Sequence, residues 1–348
     1  MRILLIRTSA LGDVVHALPV LTALRRRFPE SRIGWAIEAS LAPLLRGHRD
    51  LDDILEVDLR GWRRRPLAPR TLRELGSAIR TLRAFKPDIT LDLMGNHKGG
   101  ILARLAGGRL IGAQRRDRRE PSSAMWMTRT VALSGTHAAE RTLSLLRGIE
   151  IDGEPLASER LDFGAAKLLP EVPATAGRWL ERRARPFVFI HPGAAWGNKR
   201  YPVAAWGEVS RALAGALDCD VVIGAGPGEE QLAEQVCAAS GGSAEMVAAP
   251  TLADLAAIVR RARLVLGGDT GPLHLAHALA APTIFVMGPT DPARHGPFAS
   301  QDGAVHVTLP CSGCYKRFES AKACLLAIPP GAIVARALAR LGADAGRR

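Results

Sequence analysis

Short apolar runs of strand length alternate with helical patterns along almost the whole chain, the signature of parallel sheets joined by crossover helices. In the first half the strand-like runs lie at 2–7, 33–38, 54–58, 89–94 and 110–113, with helical patterns at 14–27, 71–85, 99–106 and 137–147. Between 113 and 127 the periodicity fails and Arg115, Arg116, Arg118 and Arg119 predict a long basic loop. The stretch 151–186 is weakly patterned, carries Pro155, Pro170, Pro173 and Pro186, and reads as a connection between domains. Beyond it the alternation restarts, with strands at 187–191, 221–224, 264–267 and 283–287 and helices at 203–217, 229–239, 252–261 and 272–279. A chain of 348 residues exceeds the usual size of one hydrophobic core. The expected fold is therefore α/β with two doubly wound parallel-sheet domains, 1–165 and 166–330, and a tail, 331–348, whose helix packs its apolar face back on the first domain.

A formal charge of +13 concentrates anions, be they nucleic acid, nucleotide or the anionic face of a membrane. Nucleic acid loses ground because aromatics are only 5% and no helix-turn-helix, zinc-finger or aromatic ribonucleoprotein pattern appears. No apolar run reaches the roughly 18 to 20 residues that span a bilayer, and the opening MRILLIR is too short for a signal peptide, so a cytoplasmic protein is expected. In that compartment five cysteines argue against a disulfide framework. Cys311, Cys314 and Cys324 cluster in sequence, but a fourth metal ligand is not obvious.

In doubly wound sheets ligands bind at the carboxyl ends of the strands, so loops directly after strands are where chemistry is sought. The first, Thr8 to Asp13, brings small residues including Ser9 and Gly12 to a helix start, where free N–H groups meet an anion or a hydroxyl. Asp13 there is either a helix cap or a general base. The second, 191–199, is a small-residue loop through Ala194 and Ala195 with a lysine, Lys199, that suits a diphosphate. The third, 267–274, ends a buried strand in two glycines, Asp269 and Thr270, followed by Gly271, Pro272 and His274. Its helix N–H groups would face a phosphate while Asp269 accepts sugar hydroxyls. A fourth glycine-rich loop offers Glu229 or Glu230 to a ribose, and a fifth, 288–292, closes the same face. Carboxylate pairs of the D-x-D kind occur at Asp50/Asp52 and Asp218/Asp220, the latter at the strand end opposite the expected cleft. No metal site is expected, so the departing diphosphate needs lysine and helix-terminus stabilisation.

Several separated motifs in one order resemble the lipopolysaccharide heptosyltransferases of glycosyltransferase family 9: TSALGDVVHALPVL at 8–21, DLMGNHKGG at 92–100, REP at 119–121, HAAERT at 137–142, HPGAAWGNKRYP at 191–202, GGDTGPLHLAHAL at 267–279 and GPTDP at 288–292. The resemblance covers most of the chain and is closest to the first heptosyltransferase. It implies a GT-B fold of two facing Rossmann-like domains, no cofactor and no metal. ADP-heptose would be the donor, held in the second domain, and a Kdo-bearing lipid A precursor the acceptor, bound by the first at the cytoplasmic face of the inner membrane. By the same resemblance, Asp13 is the general base and Lys199 contacts the diphosphate. Asp269, Thr270, Gly271 and His274 form the donor loop with Ala194 and Ala195, and Glu229 binds ribose. Ser9, Gly12, Lys98, Arg119 and His137 lie on the acceptor side, with Arg60 and Arg63 in a basic segment that holds the acceptor's acidic groups. The tips bearing Asp13, Lys199 and Asp269 are expected to converge on one crevice.

Overall fold

The computed structural model describes residues 1–151, 154–156, 159–169, 171–298 and 303–345 and divides into two compact units, Met1–Pro170 and Glu171–Arg348. In the first, β1 (Arg2–Ile6), β2 (Arg32–Glu38), β3 (Asp53–Val57), β4 (Ile89–Asp92), β5 (Arg109–Ala113) and β6 (Arg129–Val131) form a sheet ordered β3-β2-β1-β4-β5-β6. Every pairing in it is parallel. A small antiparallel ribbon, β7 (Glu150–Ile151) and β8 (Glu154–Pro155), follows. The second unit repeats the pattern with β9 (Phe187–His191), β10 (Asp220–Ala225), β11 (Glu245–Ala248), β12 (Leu264–Gly268), β13 (Thr283–Val286) and β14 (Gly303–Val305), ordered β11-β10-β9-β12-β13-β14 and again parallel throughout.

The central strands are buried on both faces, as helices on both sides of a parallel sheet require. Periodicity did not reveal the short β7 and β8 ribbon, and the three strands it missed in the six-stranded sheets, β6, β11 and β14, all lie at sheet edges, where partial exposure dilutes the apolar signal. The expected helix over 14–27 is two helices, Leu11–Val15 and Leu18–Arg27, because Pro19 cannot continue a helix begun before it. The proline-rich stretch 151–186 is not wholly a connection. It contains the helix Ala174–Glu181, whose Ala176 N–H and Thr175 hydroxyl both bond to the buried Asp254 carboxylate; Pro170 and residues 152–153 and 157–158 lie outside the described residues.

The helix Pro330–Ala345, expected to reach the first domain, packs its apolar face within the second unit. Ile333, Ala337 and Leu341 are buried in the second unit's own core with Trp206, Val209 and Leu213 of the helix Val203–Ala216. Residues 346–348 lie outside the described residues.

Candidate active site

In each unit the strand order reverses beside the first strand, and the loops leaving the two strands at that reversal start side by side. In the second unit β9 lies against β12, with His191 opposite Gly267. From β9 the buried run of His191, Pro192, Gly193 and Ala194 leads to a short 3-10 turn, Gly197–Lys199. From β12, Asp269 and Thr270 lead into the helix Gly271–Ala278, with Pro272 in its first turn, where a missing N–H costs nothing.

These two loops meet through Asp269. Lys199 Nζ lies 2.5 Å from Asp269 Oδ2 and also donates to the Asp269 carbonyl at 3.2 Å. His274 Nε2, one turn into the helix, donates to Oδ1 at 2.8 Å, and the Thr290 hydroxyl donates to Oδ2 at 2.6 Å. Burial by itself would raise the Asp269 carboxyl, but the hydrogen bonds and charges of His274 and Lys199 outweigh it and hold the group far below the usual carboxylate range. Thr270 caps the helix through its backbone alone, and its buried hydroxyl makes no hydrogen bond among the described residues. Gly268 is needed for the close approach, since a Cβ there would stand 2.8 Å from the Lys199 carbonyl oxygen.

Around this pair, Lys199 Nζ lies 4.6 Å from the centre of the Trp196 ring and the Arg317 guanidinium 4.5 Å from it. The segment carrying Arg317 is tied to the turn by Asn198, whose Nδ2 donates to the Lys316 carbonyl at 2.9 Å and whose N–H donates to the Phe318 carbonyl at 3.1 Å. Gly197 has no room for a side chain, because a Cβ would fall 1.8 Å from the Glu319 carbonyl oxygen. Burial pushes His295 down to about 4, with the pull of Asp269 opposed by His274, Arg294 and Lys199, so a neutral imidazole borders the cluster.

Ala194 is buried and its carbonyl accepts from Arg200 Nε at 2.8 Å, while Ala195 is exposed. Glu229 follows β10 and reaches back to the β9 loop. Its Oε2 lies 3.5 Å from His191 Nε2, and a Cβ at Gly193 would strike its Oε1 at 2.1 Å. Burial lowers the His191 pKa against the pull of Glu229.

In the first unit β1 lies against β4, with Ile6 opposite Asp92. Ser9 and Gly12 are half-buried in the loop after β1. Asp13 Oδ2 lies 2.8 Å from Arg7 Nη2 and accepts the Ala10 N–H at 3.3 Å, so the helix-capping role is real. At 44% side-chain exposure the carboxylate is nevertheless open to a ligand.

After β4, Asp92 Oδ1 accepts the N–H groups of Met94 and Gly95 at 3.0 and 3.4 Å, and Oδ2 forms a fully buried ion pair with Arg118. Arg118 also donates to Ser123 Oγ at 2.7 Å and the Ala113 carbonyl at 3.2 Å. It is therefore not one of the solvated, acceptor-facing arginines that the charge run predicted; its guanidinium fastens that loop to the sheet. Its neighbours Arg115, Arg116 and Arg119 are exposed, as is Lys98 on the helix His97–Ala106. Trp126 Nε1 donates to His97 Nδ1 at 3.0 Å, which leaves Nε2 as the protonated nitrogen, 2.8 Å from Ser122 Oγ. His137 is buried, accepts the Ala139 N–H at 3.2 Å and meets the His16 ring edge-on at 5.2 Å. Arg60 and Arg63 are exposed on the helix Leu59–Arg64.

The D-x-D carboxylates are engaged elsewhere. Asp50 pairs with Lys167 at 2.8 Å and Asp52 with Arg25 at 2.5 Å, while Asp218 and Asp220 hold Arg185 at 2.6 and 3.2 Å. Cys311, Cys314 and Cys324 are free thiols, and no group of three or more His, Cys, Asp or Glu among the described residues has the arrangement of a metal site.

The model of the family described as glycosyltransferase family 9 (heptosyltransferase) matches residues 75–325. The chain belongs to this family. Lipopolysaccharide heptosyltransferase 1 of Pseudomonas aeruginosa is 30% identical over 325 residues, 91% of this chain and 87% of that protein. The protein of the same name from Escherichia coli K12 is 30% identical over 300 residues, 85% and 90% of the two chains. The solved E. coli heptosyltransferase WaaC with ADP is 25% identical, with a TM-score of 0.80 that covers 98% of this chain and 100% of the other. The protein is thus a glycosyltransferase of the GT-B architecture, built from two Rossmann-like units.

In this family 9 chain the residues that local pattern missed are those whose partners are distant in sequence. Thr290 sits in a loop read as closing the face, yet it bonds Asp269 across 21 positions. Asp92 and Arg118, 26 positions apart, bear no mark of their pairing beyond an acid at a strand end. His295 and Trp196 carried no signal of their own.

Proposed function

We propose that this protein is an inverting heptosyltransferase that moves L-glycero-D-manno-heptose from ADP-heptose to Kdo-lipid A in assembly of the lipopolysaccharide inner core. The carrying observation is the meeting of Lys199 and Asp269 at the switch point of the second unit, beside the start of the helix Gly271–Ala278. A diphosphate placed there would take its charge compensation from the ammonium and from the helix N–H groups. The unpartnered Thr270 hydroxyl supplies one further donor, and Asp269 and Glu229 are the acceptors for heptose and ribose hydroxyls. The proteins named lipopolysaccharide heptosyltransferase 1, at 30% identity, favour heptose as the sugar, and WaaC has been solved with ADP.

Asp13 removes the proton from the acceptor hydroxyl while that oxygen bonds to the anomeric carbon and the bond from that carbon to the ADP oxygen breaks. Arg7, 2.8 Å from Asp13, orients the carboxylate. Lys199 and the helix start receive the charge that develops on ADP, a stabilisation that matters most in the transition state. No metal enters this scheme, and no cofactor beyond the donor. Lys98, Arg119 and the exposed Arg60 and Arg63 answer the acceptor's carboxylates and phosphates, with Ser9, Gly12 and His137 on the same side. Because that acceptor is a glycolipid, the enzyme works from the cytoplasm as a peripheral protein at the inner membrane; no helix among the described residues is long and apolar enough to cross it.

A mass-spectrometric product assay with ADP-heptose and Kdo-lipid A tests this reading, with the heptosylated lipid as the expected product. Calorimetry against ADP, UDP and GDP adds the donor class. No product, together with preference for UDP or GDP, would assign the site to another nucleotide sugar.

A further inference from the structure

The first unit exposes an unusual surface just beyond β3. Leu67 is 86% exposed and Leu72 55%, on the link between the helices Leu59–Arg64 and Pro69–Phe85 and at the start of the second of them. At about 100° per residue, Leu72, Ile79 and Arg83 fall within an arc of about 40° on that helix, bordered by Arg73 and Arg80. That arc lies away from the stripe of Thr71, Leu82 and Phe85 by which the helix is buried. From 59 to 85 the chain carries eight arginines against a single acid, Glu74, which is already bonded to Arg70 at 2.7 Å.

What sets this surface apart is the combination of two strongly exposed leucines with a nearly uniform field of arginines. They match the interface of an anionic bilayer, where apolar side chains enter the acyl boundary and guanidinium groups meet the headgroup phosphates. The position of this surface agrees. The Arg60 N–H donates to the buried Glu38 carboxylate at the carboxyl end of β2 at 3.1 Å, and the Glu38 N–H donates to the Thr8 carbonyl at 3.1 Å. Two hydrogen-bonded steps thus join the basic helix to the loop that leads to Asp13.

We infer that Leu67, Leu72 and the arginines around them form the membrane-docking face of the enzyme, seated on anionic phospholipid so that the Asp13 loop meets an acceptor still embedded in the bilayer. The inference rests on the reading of the acceptor as a glycolipid, but it makes a separate demand: affinity for lipid without acceptor.

The full-length protein is tested by flotation with vesicles of phosphatidylglycerol and phosphatidylcholine, and with phosphatidylcholine alone, both free of glycolipid. The wild type floats with the anionic vesicles only, and added salt weakens the association. Leu67→Ser/Leu72→Ser and Arg73→Gln/Arg80→Gln each lower partitioning about tenfold. Both double variants alter exposed side chains and retain the wild-type melting temperature. With a deacylated, water-soluble acceptor the leucine variant keeps the wild-type rate, whereas with acceptor in vesicles its rate falls in step with partitioning. Wild-type protein that ignores anionic vesicles, or variants that float as well as wild type, overturns the inference. So does binding to random RNA in preference to the vesicles. Lipid binding without any heptosyl transfer would leave the docking face standing and remove the acceptor assignment instead.

Discussion

Lys199 Nζ and Asp269 Oδ2 stand 2.5 Å apart although 70 positions separate them in sequence, and their contact joins the loops after β9 and β12 into one site. Asp269 is buried and held ionised by His274, Lys199 and Thr290, so it fixes the position of the ammonium that a diphosphate would meet.

In the proposed chemistry Lys199→Ala removes the cation from the leaving group, while the Asp269 carboxylate keeps its hydrogen bonds to His274 and Thr290. Single-turnover rates should fall by about two to three orders of magnitude, the usual cost of one transition-state charge partner. An unchanged rate would make the lysine surface decoration.

Asp13 both caps a helix and, in the proposed chemistry, takes a proton, and substitution separates the two roles. Asp13→Asn keeps an oxygen for the Ala10 N–H and should keep the unfolding free energy within about 1 kcal/mol of wild type. Turnover should vanish in Asp13→Asn and in Asp13→Ala alike, with ADP affinity nearly intact by calorimetry. Activity surviving in Asp13→Asn would leave only the cap.

Thr290→Val deletes a buried hydrogen bond to a charged group at nearly constant volume and should cost about 1.5–3 kcal/mol in denaturant unfolding. If Thr290 also positions Asp269, kcat falls about tenfold with ADP binding little changed, and Thr290→Ser restores both. A stability loss without a kcat effect would confine Thr290 to the fold.

His295 has its pKa depressed to about 4 by burial, so the unfolded chain binds a proton that the native protein refuses between pH 6.5 and 4. Its contribution is full above pH 6.5 and is lost as pH falls through that window. The wild type should lose about 2 kcal/mol more than His295→Gln between pH 7 and pH 5, read from denaturant midpoints. Parallel curves for the two proteins would count against a half-buried, neutral imidazole.

Chelation tests the absence of a metal from the chemistry. Exhaustive treatment with EDTA should leave the transfer rate within about twofold, since in the proposed chemistry Lys199 and a helix start carry the charge. Loss of activity restored by magnesium or manganese would require a cation under the diphosphate.

The periodicity of the chain determined the α/β class and the two-unit organisation, because burial on a sheet or a helix face leaves a local imprint every two or 3.6 residues. The residues at strand ends were legible for the same reason, and Asp13, Lys199, Glu229 and Asp269 all stand where those patterns break. Edge strands such as β6 and β14 escaped, since half-exposed strands carry half the imprint. Which loops become neighbours is set by crossovers that place β4 beside β1 and β12 beside β9, and no local spacing records that. Tertiary packing alone decided that Lys199 meets Asp269, that Thr290 completes the carboxylate's shell, and that Arg118, in a run of arginines otherwise turned to solvent, lies buried against Asp92. A side chain's charge is written in the sequence, but whether it faces water or a partner depends on residues brought together only when the sheet closes around them.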